Sequence, residues 1–206
     1  MQSIISEKPR FDEKLISIAA DADAFEGYSA GHSVRIAEIV DSLGLAFNFE
    51  PHDRLLLQQA ALVRNIGEMQ MNRDYISSGR VLSSEERLDL QRHPVIGEQA
   101  AAKMGLSRGV QLIVRWHHEW WNGSGYPDGI EGDQIPLAAR ILRVADTYAA
   151  LTNDRPFRSA LTDENARKYL IEWAAIEFDP IVVKAFLALP AAVETVSEVE
   201  TYARSS

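Results

Sequence analysis

The stretch SRGVQLIVRWHHEWWNGSGYPDGIEGDQIPLAARILRVADTYAAL, Ser107 to Leu151, decides the fold. Its first part spaces Val110, Ile113, Val114 and His117 three and four apart, the period of one helix face. Ser107 stands just before it, where a hydroxyl caps a first turn. From Glu119 to Ile135 the period breaks, and four glycines with Pro127 predict a loop. A connection of that length is either functional or mobile. Helical spacing returns at Pro136 and runs through Ile141, Val144 and Leu151.

The same period holds outward in both directions. Phe11, Leu15, Ile18 and Ala19 mark a first short helix, and Ile36, Ile39, Val40 and Leu43 a second. Pro51 opens a third, carrying Leu55, Leu56, Ala60 and Val63, with proline in its tolerated first-turn place. Ser83 and Glu86 form a capping-box pattern ahead of Leu88 and Leu90. Further helices are expected from near Thr162 and from Asp179-Pro180, and the tail from Ala191 to Arg204 has helical propensity. Alternating apolar runs are scarce, so the class is all-α.

Composition narrows the function classes. The 206 residues carry a formal charge of −9, which repels the phosphates of extended nucleic acid. A small anionic ligand stays open where a few arginines converge. There are no cysteines, which excludes a disulfide framework and any thiolate-held metal. The first residues, MQSIISEKPRFDEK, lack the apolar core of a signal peptide, and no apolar run approaches the ~20 residues of a membrane span. Cytoplasmic placement without a membrane is the expectation.

Five histidines occur: His32, His52, His93, His117 and His118. His52, in the polar segment Glu50-Pro51-His52-Asp53, is expected at the surface. His117-His118 ends an amphipathic helix beside the glycine-rich loop, where neutral imidazoles could ligate a metal with an open position. Asp146 stands amid Ile141, Leu142, Val144 and Ala145, so it faces either solvent or a partner. Spacing alone leaves metal binding and packing both open, and does not bring His32 or His93 to the same point.

The segment HHEWWNGSGYPDGIEGDQIPLAARILRVADTYAALTNDRPFR, residues 117 to 158, resembles the signature region of HD-GYP proteins, including Gly125-Tyr126-Pro127. YSAGHSVRIAEI from Tyr28, HPVIGEQAA from His93 and FDPIVVKAFLAL from Phe178 resemble the family's first helix, middle histidine segment and closing helix. The resemblance covers about residues 25 to 190. It implies one HD-GYP-like domain over 1–206: an N-terminal helix in 1–24, a helical HD bundle extended by C-terminal helices in 25–190, and a tail in 191–206.

HD-GYP proteins cleave cyclic di-GMP with metal-activated water. By resemblance, one metal would use His32, a His-Asp pair and Asp146, and a second would use His93, His117 and His118. The family's His-Asp-Ile-Gly-Lys aligns here with Arg64-Asn65-Ile66-Gly67-Glu68. Asn65 cannot supply an anionic bridge between two cations. Arg64 has no lone pair to offer, and a unit charge ~4 Å from a divalent ion costs about 8 kcal/mol at an effective dielectric of ~20. Glu68 reverses the charge of a lysine suited to substrate phosphate, and Ala149 removes a further carboxylate. The first metal position, with His32 and Asp146, is therefore expected to be empty.

The second position keeps its three histidines, and three His plus water is an established catalytic arrangement. One divalent Fe, Mn or Zn at reduced affinity, or none, is the expectation. Gly125, Tyr126 and Pro127 would wall the ligand pocket or brace the loop. Arg155 and Arg158 would meet the dinucleotide or cap the preceding helix. Trp120 and Trp121 could stack on guanine, while Trp116 and Trp173 belong to the core. The resulting expectation is a regulatory module that senses cyclic di-GMP or binds a signalling protein such as a diguanylate cyclase domain. The alternative is a phosphodiesterase with an atypical single-metal site.

Overall fold

The computed structural model describes residues 12–28, 30–154 and 158–190. Ten α-helices are found among them, and no strand beyond an isolated bridge between Ala174 and Phe178. They are α1 Glu13–Phe25, α2 His32–Ala46, α3 Pro51–Val63, α4 Ile66–Met71, α5 Ser84–Leu90, α6 His93–Lys103, α7 Arg108–Trp116, α8 Leu137–Leu151, α9 Asp163–Glu172 and α10 Pro180–Ala188. The all-α expectation holds. None of these helices is long and apolar enough to cross a membrane.

Local chemistry sets most of the boundaries. Asp12, Ser107, Thr162 and Asp179 each accept a backbone N–H of the first turn they precede. Ser83 and Glu86 close a reciprocal capping box at α5. Two helices, α4 and α6, carry no periodic stripe long enough to announce them, because both are short and rich in small or polar residues. Leu55, expected on the apolar stripe of α3, is 45% exposed; Leu57 and Leu62 fill the core in its place. Phe11 and the tail lie outside the described residues.

One buried cluster runs from Leu15 and Ile36 through Leu57, Val114 and Leu142 to Phe178 and Phe186. Within it α2 packs on α3 and α8, and α4 lies against α6. The last contact is close enough to need glycine. A Cβ on Gly67 would stand 2.0 Å from the His93 carbonyl oxygen and 2.8 Å from the Gly97 nitrogen. Gly67 thus lets α4 seat the first turn of α6, where His93 sits.

The segment between α7 and α8 is a loop with one short turn of 3-10 helix, Gly132–Gln134. Trp121 and Asn122 donate backbone N–H groups to Glu177 and Ile176, and Tyr126 donates to the His118 carbonyl. Inside the loop, the Glu119 carboxylate accepts from the amides of Asp128 and Gly129. Arg115 and Trp116 both hold the Asp128 side chain. These bonds fix Tyr126 and Pro127 against the helices below.

Candidate metal and ligand site

The break between α3 and α4 places Arg64 and Asn65. Arg64 follows the last turn of α3, and Asn65 turns the chain into α4 with φ −102° and ψ 14°. The Arg64 side chain is 1% exposed, and its Nε donates to Asp146 Oδ1 at 2.6 Å. Its Nη1 donates to Ser33 Oγ at 2.7 Å and to the Ala61 carbonyl at 3.3 Å. Ser33 in turn donates its hydroxyl and its amide to Asp23. A fixed guanidinium therefore lies at the centre of a buried polar network from α1, α2, α3 and α8.

Electrostatics follow from that geometry. Burial, the largest single influence, pushes the Asp146 carboxyl up; the charges of Arg64, His117 and His32 and the Arg64 hydrogen bond together outweigh it. The carboxyl is held at about 2. Burial works against the Arg64 charge, but Asp146, Glu26 and Asp23 raise its pKa above the ordinary arginine value. The further acids around the guanidinium are thus Glu26 and Asp23. Glu68 Oε1 stands 3.8 Å from His93 Nδ1. Asn65 donates its side-chain amide to buried Glu26 at 2.9 Å, a contact that a carboxylate at position 65 would turn into repulsion.

His32, the first residue of α2, stacks on Tyr28 at 3.7 Å between ring centroids. Its Nδ1 lies 3.0 Å from the Asn153 side-chain amide. It also contributes to the field at Asp146, so it belongs to the same region.

On the other side, His93, His117 and His118 come together, with a ring nitrogen of each within 4.8 Å of the others. His93 Nδ1 is 2.9 Å from the Leu90 carbonyl, and His117 Nδ1 is 2.6 Å from that of Val114. A carbonyl only accepts, so both rings carry their proton on Nδ1 and present the Nε2 lone pair. Both Nε2 atoms are buried with no hydrogen-bond partner. Burial pushes the His93 pKa down to about 3, with His117 adding to the fall, and that of His117 to about 4. Two neutral imidazoles with unpartnered lone pairs suit a Zn, Mn or Fe ion. His118 differs: Arg143 Nη1 lies 2.8 Å from its Nδ1.

A cavity of about 220 Å³ opens between the two halves, lined by Glu26, Tyr28, Asn65, Glu68, His118 and Asp146 among others. Tyr126 stacks on His118 at 4.8 Å and 15°, and closes the histidine side. Pro127 and Tyr126 also line an outer groove with Leu88, Val95 and Ile96. Gly125 passes so close to the chain that a Cβ would meet the Trp120 nitrogen at 2.2 Å.

Arg158 is exposed and donates to the Ala150 carbonyl in the last turn of α8, the capping role weighed for it. Arg155 lies outside the described residues. Trp120 packs edge-on against Trp173, and Trp121 lies under the Arg140 guanidinium. Trp116 and Trp173, expected in the core, are half-buried; Trp116 is held at the loop by Asp128. His52 is exposed, as expected.

Arg143, Glu177, Glu26 and the Asp23–Ser33 pair were not legible as site residues. Only Arg143 carried a signal: three residues before Asp146 on one helix, it shares that residue's face.

An all-α bundle that gathers histidines at the ends of three helices around a part-buried aspartate is the architecture of an HD domain. Residues 12–182 match the HD domain family, and the chain belongs to it. A cyclic di-GMP phosphodiesterase of Vibrio cholerae is 31% identical over 193 residues, covering 86% of this chain and 39% of its own. A cyclic di-GMP phosphodiesterase response regulator of Xanthomonas campestris is 30% identical over 186 residues, covering 89% of this chain and 48% of its own. The chain thus spans less than half the length of these relatives. Among solved structures, a cyclic GMP-AMP-specific phosphodiesterase of Vibrio cholerae shares the fold, with a TM-score of 0.68 at 21% identity over 85% of this chain and 47% of that one. The HD-GYP resemblance read from residues 117–158 is borne out by these relatives.

Proposed function

We propose that this domain is a degenerate HD-GYP-type module that does not hydrolyse cyclic dinucleotides. It would act in cytoplasmic signalling, by sensing cyclic di-GMP or by binding a signalling protein such as a diguanylate cyclase domain. The observation that carries the reading is the ion pair of buried Arg64 with part-buried Asp146 at 2.6 Å. By resemblance, position 64 would supply a histidine ligand, position 65 a bridging aspartate, and Asp146 a third ligand to the same ion. Arg64 satisfies Asp146 with a fixed charge that repels a divalent cation. Asn65, donating to Glu26, offers no anionic bridge. Relatives named as cyclic di-GMP phosphodiesterases make a cyclic dinucleotide the ligand class of choice.

A second reading draws on the two unpartnered Nε2 atoms of His93 and His117. They would hold a single Fe, Mn or Zn ion, which when bound supplies an acidified water for phosphodiester hydrolysis. Metal analysis of the purified protein, together with turnover of cyclic di-GMP in Mn or Fe buffer, separates the two. Background turnover with at most one metal supports the proposal. Metal-dependent release of linear dinucleotide at about 1 per second or faster overturns it. Calorimetric titration with cyclic di-GMP, with and without metal, then tests sensing directly.

A further inference from the structure

The three histidines of the cluster do not offer three lone pairs. His93 and His117 donate Nδ1–H to carbonyls and keep Nε2 open. The neighbour of His118 Nδ1 is a guanidinium, Arg143 Nη1 at 2.8 Å, and arginine only donates. Nδ1 of His118 must therefore accept, and a neutral imidazole that accepts at Nδ1 carries its proton at Nε2. One nitrogen is engaged by Arg143 and the other has no lone pair to give.

The arrangement is held from all sides. Arg143 Nη2 donates to Glu177 at 2.5 Å, and the Glu177 side chain is 4% exposed, so the guanidinium is anchored by a buried counter-charge. Tyr126 stacks flat on the His118 ring, while His93 meets the same ring edge-on at 4.8 Å. Turning the ring to free a lone pair breaks the Arg143 bond and the Tyr126 stack together. Arg143 also places a fixed positive charge beside any cation that the other two histidines hold.

We infer that Arg143 is a positioning residue that locks His118 as the Nε2–H tautomer and withholds it as a metal ligand, leaving a two-histidine site. The inference stands whether or not the domain hydrolyses a dinucleotide, because it concerns the metal-free ring and its affinity for an ion.

NMR of the imidazole nitrogens in metal-free wild-type protein at neutral pH tests the tautomer directly. Protonation at Nε2 for His118 and at Nδ1 for His93 and His117 is the expected pattern. An Nδ1 proton on His118 overturns the inference. Zinc titration calorimetry then tests the consequence in wild type, His118→Ala, Arg143→Ala and the double variant. Removing His118 from the wild type is expected to change zinc affinity less than about threefold, because the ring is not a ligand. Arg143→Ala should tighten binding about tenfold or more, a gain that the double variant loses. An equal loss on removing His118 with and without Arg143 sinks the idea. Since Arg143→Ala strands the buried Glu177, the same series is built with Glu177→Gln. Should neither background fold, the tautomer pattern and the wild-type His118→Ala affinity still decide.

Discussion

Arg64 and Asp146 stand 82 positions apart in the chain and 2.6 Å apart in the fold, joined by an Nε–Oδ1 ion pair. A carboxylate in this part-buried site is stabilised by a cationic partner, and Arg64 supplies it permanently where a bound ion would do so only when present.

Breaking that pair leaves the largely buried Asp146 carboxylate without a counter-charge. Arg64→Ala is expected to cost about 3–5 kcal/mol of stability. Urea unfolding of Arg64→Ala beside the wild type checks this. A loss under about 1 kcal/mol would mean that the pair is solvated and worth no more than a surface bridge.

Acid should unfold the metal-free protein early. His93 and His117 are buried and neutral, with pKa values pushed from 6.5 down to about 3 and about 4. The unfolded chain therefore binds more protons as pH falls. Their contribution is complete above about 6.5 and is lost as pH drops through the folded values. Asp146, held at about 2 against an ordinary 3.8, adds its own loss only below that ordinary value. The urea midpoint, measured with chelator present, should decline between about pH 6.5 and 4. A midpoint unchanged across that range would contradict the burial of these rings.

Gly67→Ala should be more damaging than its size suggests. The added methyl meets backbone atoms of His93 and Gly97, which cannot swing aside as a flexible side chain would. Overpacking of this kind costs about 1–3 kcal/mol or more and would push α6 outward. Thermal unfolding, with the His93 ring resonances as a local probe, reads both effects. An unshifted Tm would show that α4 and α6 are not in close contact.

Restoring the residues of the HD-GYP pattern tests the proposed degeneracy. Asn65→Asp alone sets a second carboxylate against Glu26, and should destabilise the metal-free protein by about 1–3 kcal/mol. Together with Arg64→His and Glu68→Lys, and with Mn or Fe present, it should recover metal binding before activity. Metal content by elemental analysis is the readout. Two metals already bound to the wild-type protein would refute the premise.

The fold was legible because helix periods and caps are local. Val110, Ile113 and Val114 lie on one face behind Ser107, and the glycines of 119–135 with Pro127 disfavour an α-helix there, leaving only the short 3-10 turn. The exceptions were α4 and α6, which are stabilised by contact with each other through Gly67 and not by a stripe of their own. Resemblance placed His93, His117 and His118 together, and the structure brings them within 4.8 Å.

The sequence by itself determined the residue types: an arginine and an asparagine before Ile66-Gly67, three histidines, an aspartate in an apolar helix, and no cysteine. Only the tertiary structure decided their states. Arg64 is a partner of Asp146 because α3 and α8 both pack on α2 and meet there, and Asn65 answers Glu26 because the end of α1 reaches the same cavity. His118 differs from His117, its neighbour in sequence, because one ring meets a carbonyl and the other a guanidinium. Whether a side chain donates, accepts or pairs depends on what lies within 3 Å, and for buried polar groups those neighbours come from distant segments of the chain.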